Sequence, residues 1–179
     1  MGNRGGRIHR PDRTLGGRNY ASRRWIACLC DFKGRRRDVW GAGYTELFFL
    51  DEPTALAAGH RPCFECRRED AGRFARLFGE ANGAMMTADE IDAVLHAERL
   101  DHGRKRTYVA PLADLPDGTM IAEFDSCYAV RGDALLPWSF DGYGPPLPRP
   151  GGRVQVLTPS SSVEALRRGY APMWGASAV

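Results

Sequence analysis

The stretch Arg61-Pro-Cys-Phe-Glu-Cys-Arg-Arg-Glu-Asp constrains this chain more than any other. Two thiols separated by two residues can turn toward one ion from a tight knuckle, with sulfur about 2.3 Å from zinc. Arg61, Arg67 and Arg68 flank the pair, where positive charge would offset bound thiolates and ease their deprotonation near neutral pH. A redox role for Cys63-x-x-Cys66 wants a βαβ setting with the motif opening a helix, and the short helix and Pro62 ahead of it do not supply one. Two unrelated buried thiols are the bland alternative. Metal binding is the expected reading.

One such pair is half a zinc site, so the remaining ligands must come from elsewhere. Cys28 and Cys30 are alternate residues of an expected strand and so point to one face. Either could complete the site, and both together would give a four-cysteine set of Cys28, Cys30, Cys63 and Cys66. His60, three residues before Cys63, competes for the fourth place. Cys127 lies among expected C-terminal strand residues and reads as a small buried hydrophobe.

A second zinc pattern competes. His96-Ala97-Glu98 reproduces the H-x-E of zinc nucleobase deaminases, and Pro62 to Cys66 reproduces their P-C-x-x-C. The order along the chain is reversed. On a continuous helix, positions 96 and 98 also lie about 200° apart and cannot face one ion.

The segment from Phe49 through Asp70 resembles the Ada-type metal-binding domain. The matching positions are Ala58, Gly59, Arg61, Pro62, Cys63, Cys66, Arg67 and Asp70. The resemblance implies one zinc held by four cysteines, two upstream and two in the knuckle, which gives Cys63 and Cys66 the ligand role. It also implies DNA binding and, in the best-known members, methyl transfer from phosphotriesters to an upstream zinc-bound cysteine. The upstream pair here is Cys28-x-Cys30, where the family usually has three intervening residues.

Charge is distributed unevenly. Residues 1 to 37 hold eleven Arg or Lys against two Asp, a balance of +9, while the rest of the chain stands at −6. Arginines interleaved with glycine and then with aromatic residues suit phosphate contact and base stacking. Arg23, Arg24, Trp25, Arg35, Arg36 and Arg37 are therefore the expected nucleic-acid contacts. No run of apolar residues is long enough to span a membrane, and the first residues lack a signal-peptide core. A cytoplasmic location follows as an expectation.

The pattern predicts an α+β chain. Residues 1–22 read as a basic flexible arm, 23–105 as a zinc-binding module and 106–179 as a β-rich part packed on it. Strands are expected from Trp25 to Phe32, more weakly from Arg35 to Trp40, and from Tyr44 to Leu50. Asp51 reads as the N-cap of a short helix with Pro53 in its first turn and Gly59 closing it. A second helix is expected over Glu69 to Ala81, and a third starts at Thr87 with a capping box to Glu90. Strands follow near Met120–Phe124, Cys127–Val130, Leu135–Phe140 and Val154–Leu157, then a serine-capped helix from Ser160 to Arg168. The functional expectation is a zinc-stabilised, non-catalytic nucleic-acid-binding protein, with DNA as partner. Cysteine methyl acceptance and deaminase-like hydrolysis through His96, Glu98, Cys63 and Cys66 stand as enzymatic alternatives.

Overall fold

In the computed structural model, which describes residues 1–36 and 38–178, the first half forms a small sheet and three helices. The elements are β1 (Gly2–Arg4), β2 (Ile26–Cys28), α1 (Glu52–Ala57), β3 (Arg61–Pro62), α2 (Arg68–Ala81) and α3 (Ala88–Arg99). A minimal hairpin, β4 (Leu100–Asp101) and β5 (Arg104–Lys105), leads on. The second half is β6 (Tyr108–Pro111), β7 (Met120–Glu123), β8 (Ser126–Arg131), β9 (Ala134–Ser139), β10 (Gly142–Tyr143), β11 (Leu147–Pro148), β12 (Arg153–Val156) and α4 (Ser160–Arg167). The α+β class is as expected. Among the described residues no helix is long and apolar enough to cross a membrane.

Local chemistry sets the helix starts. Asp51 Oδ1 accepts from the Thr54 N–H at 3.1 Å and the Thr54 hydroxyl accepts from the Asp51 N–H at 3.0 Å, a reciprocal cap at the head of α1. Gly59 ends that helix at φ +81°, and a Cβ there would lie 2.5 Å from Arg99 Cδ, so glycine is required twice over. Thr87 and Glu90 cap α3 in the same reciprocal way. No side chain of its own caps α4. Instead Glu98, at the end of α3, accepts from the Ser160 hydroxyl at 2.8 Å and from the Ser161 N–H and hydroxyl at 3.0 and 2.6 Å. The expected serine cap is corrected accordingly, because the neighbouring carboxylate offers stronger acceptors to the open end of the helix.

The apolar stripes of α2 (Phe74, Leu77, Phe78) and α3 (Ile91, Leu95) pack with Leu56 against Leu166 and Tyr170. Each such buried side chain contributes about 2 kcal/mol. The large sheet is antiparallel in the order β10-β9-β8-β7-β12-β6, with β11 against β9. Alternation along its strands sends Ile121, Val130, Leu135 and Val156 into the core with Leu112 and Val163, while Met120, Ala129 and Leu136 face Ala57 of α1 on the other side. Strand β6 was not expected from the sequence.

Three expectations are corrected in the first half. The start of the supposed arm is a strand: β1 pairs antiparallel with β2, Gly2 opposite Cys28 and Arg4 opposite Ile26. His9 is buried too, its ring bonded to the Thr45 hydroxyl at 2.7 Å and stacked on Trp40. From Arg35 to Trp40 the described residues form no strand, and Lys33, Gly34 and Trp40 on either side take positive φ that a strand excludes. The segment from Thr45 to Phe49 runs beside β1 but makes only a bridge, Gly2 to Phe48. Its pairing slips by one residue where Thr45 N–H reaches Gly6, at φ +99°, which breaks the ladder.

Candidate metal centre

Parallel pairing brings the thiols together. β2 lies beside β3 with Ala27 opposite Pro62, and Cys63 N–H bonds the Ala27 carbonyl at 3.1 Å, so the residues that follow in each strand are neighbours. The knuckle then folds back, with Arg67 N–H on the Cys63 carbonyl at 3.0 Å, and this returns Cys66 to the same spot. The Sγ atoms of Cys28, Cys63 and Cys66 all lie within 4.8 Å of one another. A tetrahedral zinc thiolate site needs sulfurs about 3.8 Å apart, a spacing that small side-chain rotations supply.

The surroundings favour sulfur anions. Backbone N–H groups of Glu65 and Leu29 point at Cys63 Sγ and Cys66 Sγ, each at 3.4 Å. Cys63 is buried, yet its thiol is held well below the ordinary value, first by the hydrogen bond from Cys28 and then by the Cys66 and Glu65 amides. Cys28 is pushed up in return, because its proton is the one shared with Cys63 and because it is half-buried. Desolvation raises Cys66. The trio thus favours a thiolate at Cys63, and a soft cation would draw the protons from its two partners on binding. Three thiols with amide support fit a soft or borderline metal ion better than calcium or magnesium.

The expected ligands outside the trio sit elsewhere. Strand β2 stops at Cys28 and the chain bends at Cys30, so the alternate-residue argument fails there. Cys30 is exposed and lies outside the cluster, on the wall of the same cavity. His60 lies outside the cluster, its Nε2 3.2 Å from Asn3 Nδ2 and its ring packed against Trp25 and Phe49. Burial and the nearby Arg99 lower it to about 3, which makes it a neutral core imidazole. His96 Nδ1 meets Arg99 at 3.2 Å on α3 and Glu98 caps α4, so neither belongs to the thiol group.

The arginines beside the knuckle also have other work. Arg61 forms a two-pronged pair with Asp92 at 2.9 and 2.8 Å, both buried. Arg67 grips Glu52 through two bonds of 2.7 Å, and the same carboxylate accepts from Tyr170 Oη at 2.6 Å and Met173 N–H at 2.7 Å. These cations balance buried carboxylates, contrary to the expectation that they offset thiolate charge. Arg4, unmarked by any motif, takes that place. Against the desolvation cost of its partial burial, it is held above its usual value by Cys28, Cys63 and Glu65. Only the pairing of β1 with β2 puts it there.

A cavity of about 410 Å³ opens beside the trio, walled by Arg4, Cys30, Phe32, Arg35, Arg36 and Glu65 among others. Glu65 bridges Arg4 at 3.2 Å and Arg35 at 2.7 Å. Of the other expected nucleic-acid contacts, Arg23 is exposed and Arg24 makes an exposed pair with Asp89. Trp25 is half-buried, its N–H on the Ser22 carbonyl and the Arg99 guanidinium 3.8 Å over its ring. Arg37 lies outside the described residues. The chain matches no family model, no curated protein sequence and no solved structure.

Proposed function

We propose that this chain is a zinc-thiolate protein in which one ion, held by Cys28, Cys63 and Cys66, ties β2 to the knuckle, and whose arginine-lined cavity mouth contacts a nucleic-acid backbone, that of DNA. The carrying observation is the convergence of three Sγ atoms from two distant stretches of chain. Zinc suits a set of three thiolates that needs no redox partner. Arg4, Arg35 and Arg36 supply cations at the mouth, and surface pairs such as Arg35 with Glu65 are weak enough to exchange for phosphate. The likeness of the knuckle to Ada-type domains supports the same reading. The experiment is duplex-DNA binding by the zinc-loaded chain across a salt series. Affinity falling steeply with salt, and falling further in Arg35→Ala/Arg36→Ala, supports the nucleic-acid part; salt-independent or absent binding overturns it.

A second reading rests on Cys30, exposed on the wall of the cavity that Cys28, Cys63 and Cys66 also line. Bound next to the metal, its thiolate could take a methyl group from a phosphotriester: the S–C bond forms, the C–O bond breaks, and a phosphodiester anion leaves. A mass gain of one methyl on Cys30 after incubation with methylated DNA supports this reading, and an unmodified Cys30 removes it.

A further inference from the structure

The cavity between α1 and the large sheet, about 710 Å³, is separate in chemistry from the thiol site. Its walls include Phe48, Leu50, Met120, Trp138, Phe140 and Leu157, with no acidic residue among the lining side chains. Two aromatic rings on it are strongly exposed, Phe140 at 93% and Phe48 at 62%. Apolar surface left concave and open in this way marks a place where something binds.

The polar groups at its edge are donors. Lys105, in β5, reaches the carbonyl of Ala57 at the end of α1 and, among the described residues, has no carboxylate partner. Trp138 contributes its ring to the wall, while its indole N–H is sealed from solvent and, among the described residues, has no acceptor. The possible acceptors on the wall are already committed or inert. Thr54 Oγ1 is used in the cap of α1, and burial raises the Cys127 thiol so that it stays neutral. Desolvation and the nearby Arg99 lower the Lys105 ammonium to about 8, so an adjacent anion would stabilise its charge.

We infer that this cavity binds a small amphipathic carboxylate, its alkyl or aryl body against Phe48, Met120, Trp138 and Leu157 and its headgroup on Lys105. The volume falls in the range of small-molecule sites, and Lys105, the one charged residue lining an otherwise apolar trough, selects a single anionic headgroup. The inference stands apart from the metal reading.

Calorimetric titration of the full chain with decanoate and with decanol tests it. Expected are saturable one-site binding of decanoate, at least tenfold weaker binding of decanol, and a tenfold loss for decanoate alone in Lys105→Met, with Lys105→Arg retaining most of the affinity. Tryptophan emission should respond to decanoate in the parent chain and much less in Trp138→Phe. The inference is overturned by any of three results: no saturation up to millimolar decanoate, equal affinity for the acid and the alcohol, or unchanged decanoate binding in Lys105→Met. It is equally overturned if sedimentation shows a dimer that Phe140→Asp dissociates and decanoate does not bind, since the face then belongs to a second copy.

Discussion

At the residue scale, protons and charges decide what the thiol group can do. Cys63 is pushed down while Cys28 and Cys66 are pushed up, so an ion that takes all three as thiolates releases protons on binding. Metal affinity should therefore fall as pH falls. Competition titrations with a chromophoric chelator between pH 8 and 6 would read this, and a flat profile would contradict it. His60 behaves in the opposite sense to an ordinary histidine. Buried and lowered to about 3, it is neutral in the folded chain throughout the range where the unfolded chain protonates. Its contribution to stability is complete above about pH 6.5 and is lost progressively as pH falls from there toward 3. Its ring resonances should stay in the neutral position from pH 8 to 5, whereas a midpoint near 6.5 would show that the ring is not in the core. Glu52 is the fully buried centre of a hydrogen-bonded network. With Arg67, Tyr170 and Met173 all bonded to it, Glu52→Ala leaves a buried guanidinium with only the half-exposed Asp70, at a cost of about 3 kcal/mol in urea unfolding. A loss under 1 kcal/mol would mean the network is dispensable.

At the element scale, short-range chemistry was readable and long-range pairing was not. Asp51 with Thr54, Thr87 with Glu90, and the stripes Phe74-Leu77-Phe78 and Ile91-Leu95 declare three helices from neighbours a turn apart. Of the strands near 120, 128, 136 and 155 only the last shows a period of two; the others are short apolar runs covered on both faces and marked by the turns between them. Strand β1 escapes because Gly-Asn-Arg has no apolar alternation; it exists through backbone bonds to a partner some 25 residues away. The same gap hid Arg4 from the site, and it made Cys30 look equivalent to Cys28 when the strand stops between them. The metal knuckle itself was legible, since the Cys63 and Cys66 spacing is local. Glu98 illustrates the reverse error: its spacing to His96 suggested chemistry, while its contacts make it the cap of α4. Glu98→Ala should destabilise the chain by about 1 kcal/mol and loosen the first turn of α4, readable as faster amide exchange at Ser161 to Val163. Unaltered exchange would show that the cap is unimportant.

At the scale of the whole molecule, the chain holds two kinds of stability. The large sheet has its own core around Ile121, Val130 and Val156. The three-stranded sheet has short strands and is joined to the knuckle through Cys28, Cys63 and Cys66. Chelation should accordingly raise amide exchange at Asn3, Leu29 and Cys63 while leaving Ile121 and Val130 protected; uniform exchange throughout would contradict that division. The arginines of the cavity mouth belong to the part that carries the thiols, and the apolar trough is shared between that part and the large sheet, with Phe48 on the wall of both cavities. The metal reading, and the arginine-lined mouth attached to it, depend on an ion at the three sulfurs. Zinc-edge X-ray absorption on the purified chain and on Cys28→Ser tests that most directly. The account requires one zinc per chain with at least three sulfur neighbours at about 2.3 Å, and one sulfur fewer in the variant. A chain without metal, or a coordination shell that Cys28→Ser leaves unchanged, would contradict it.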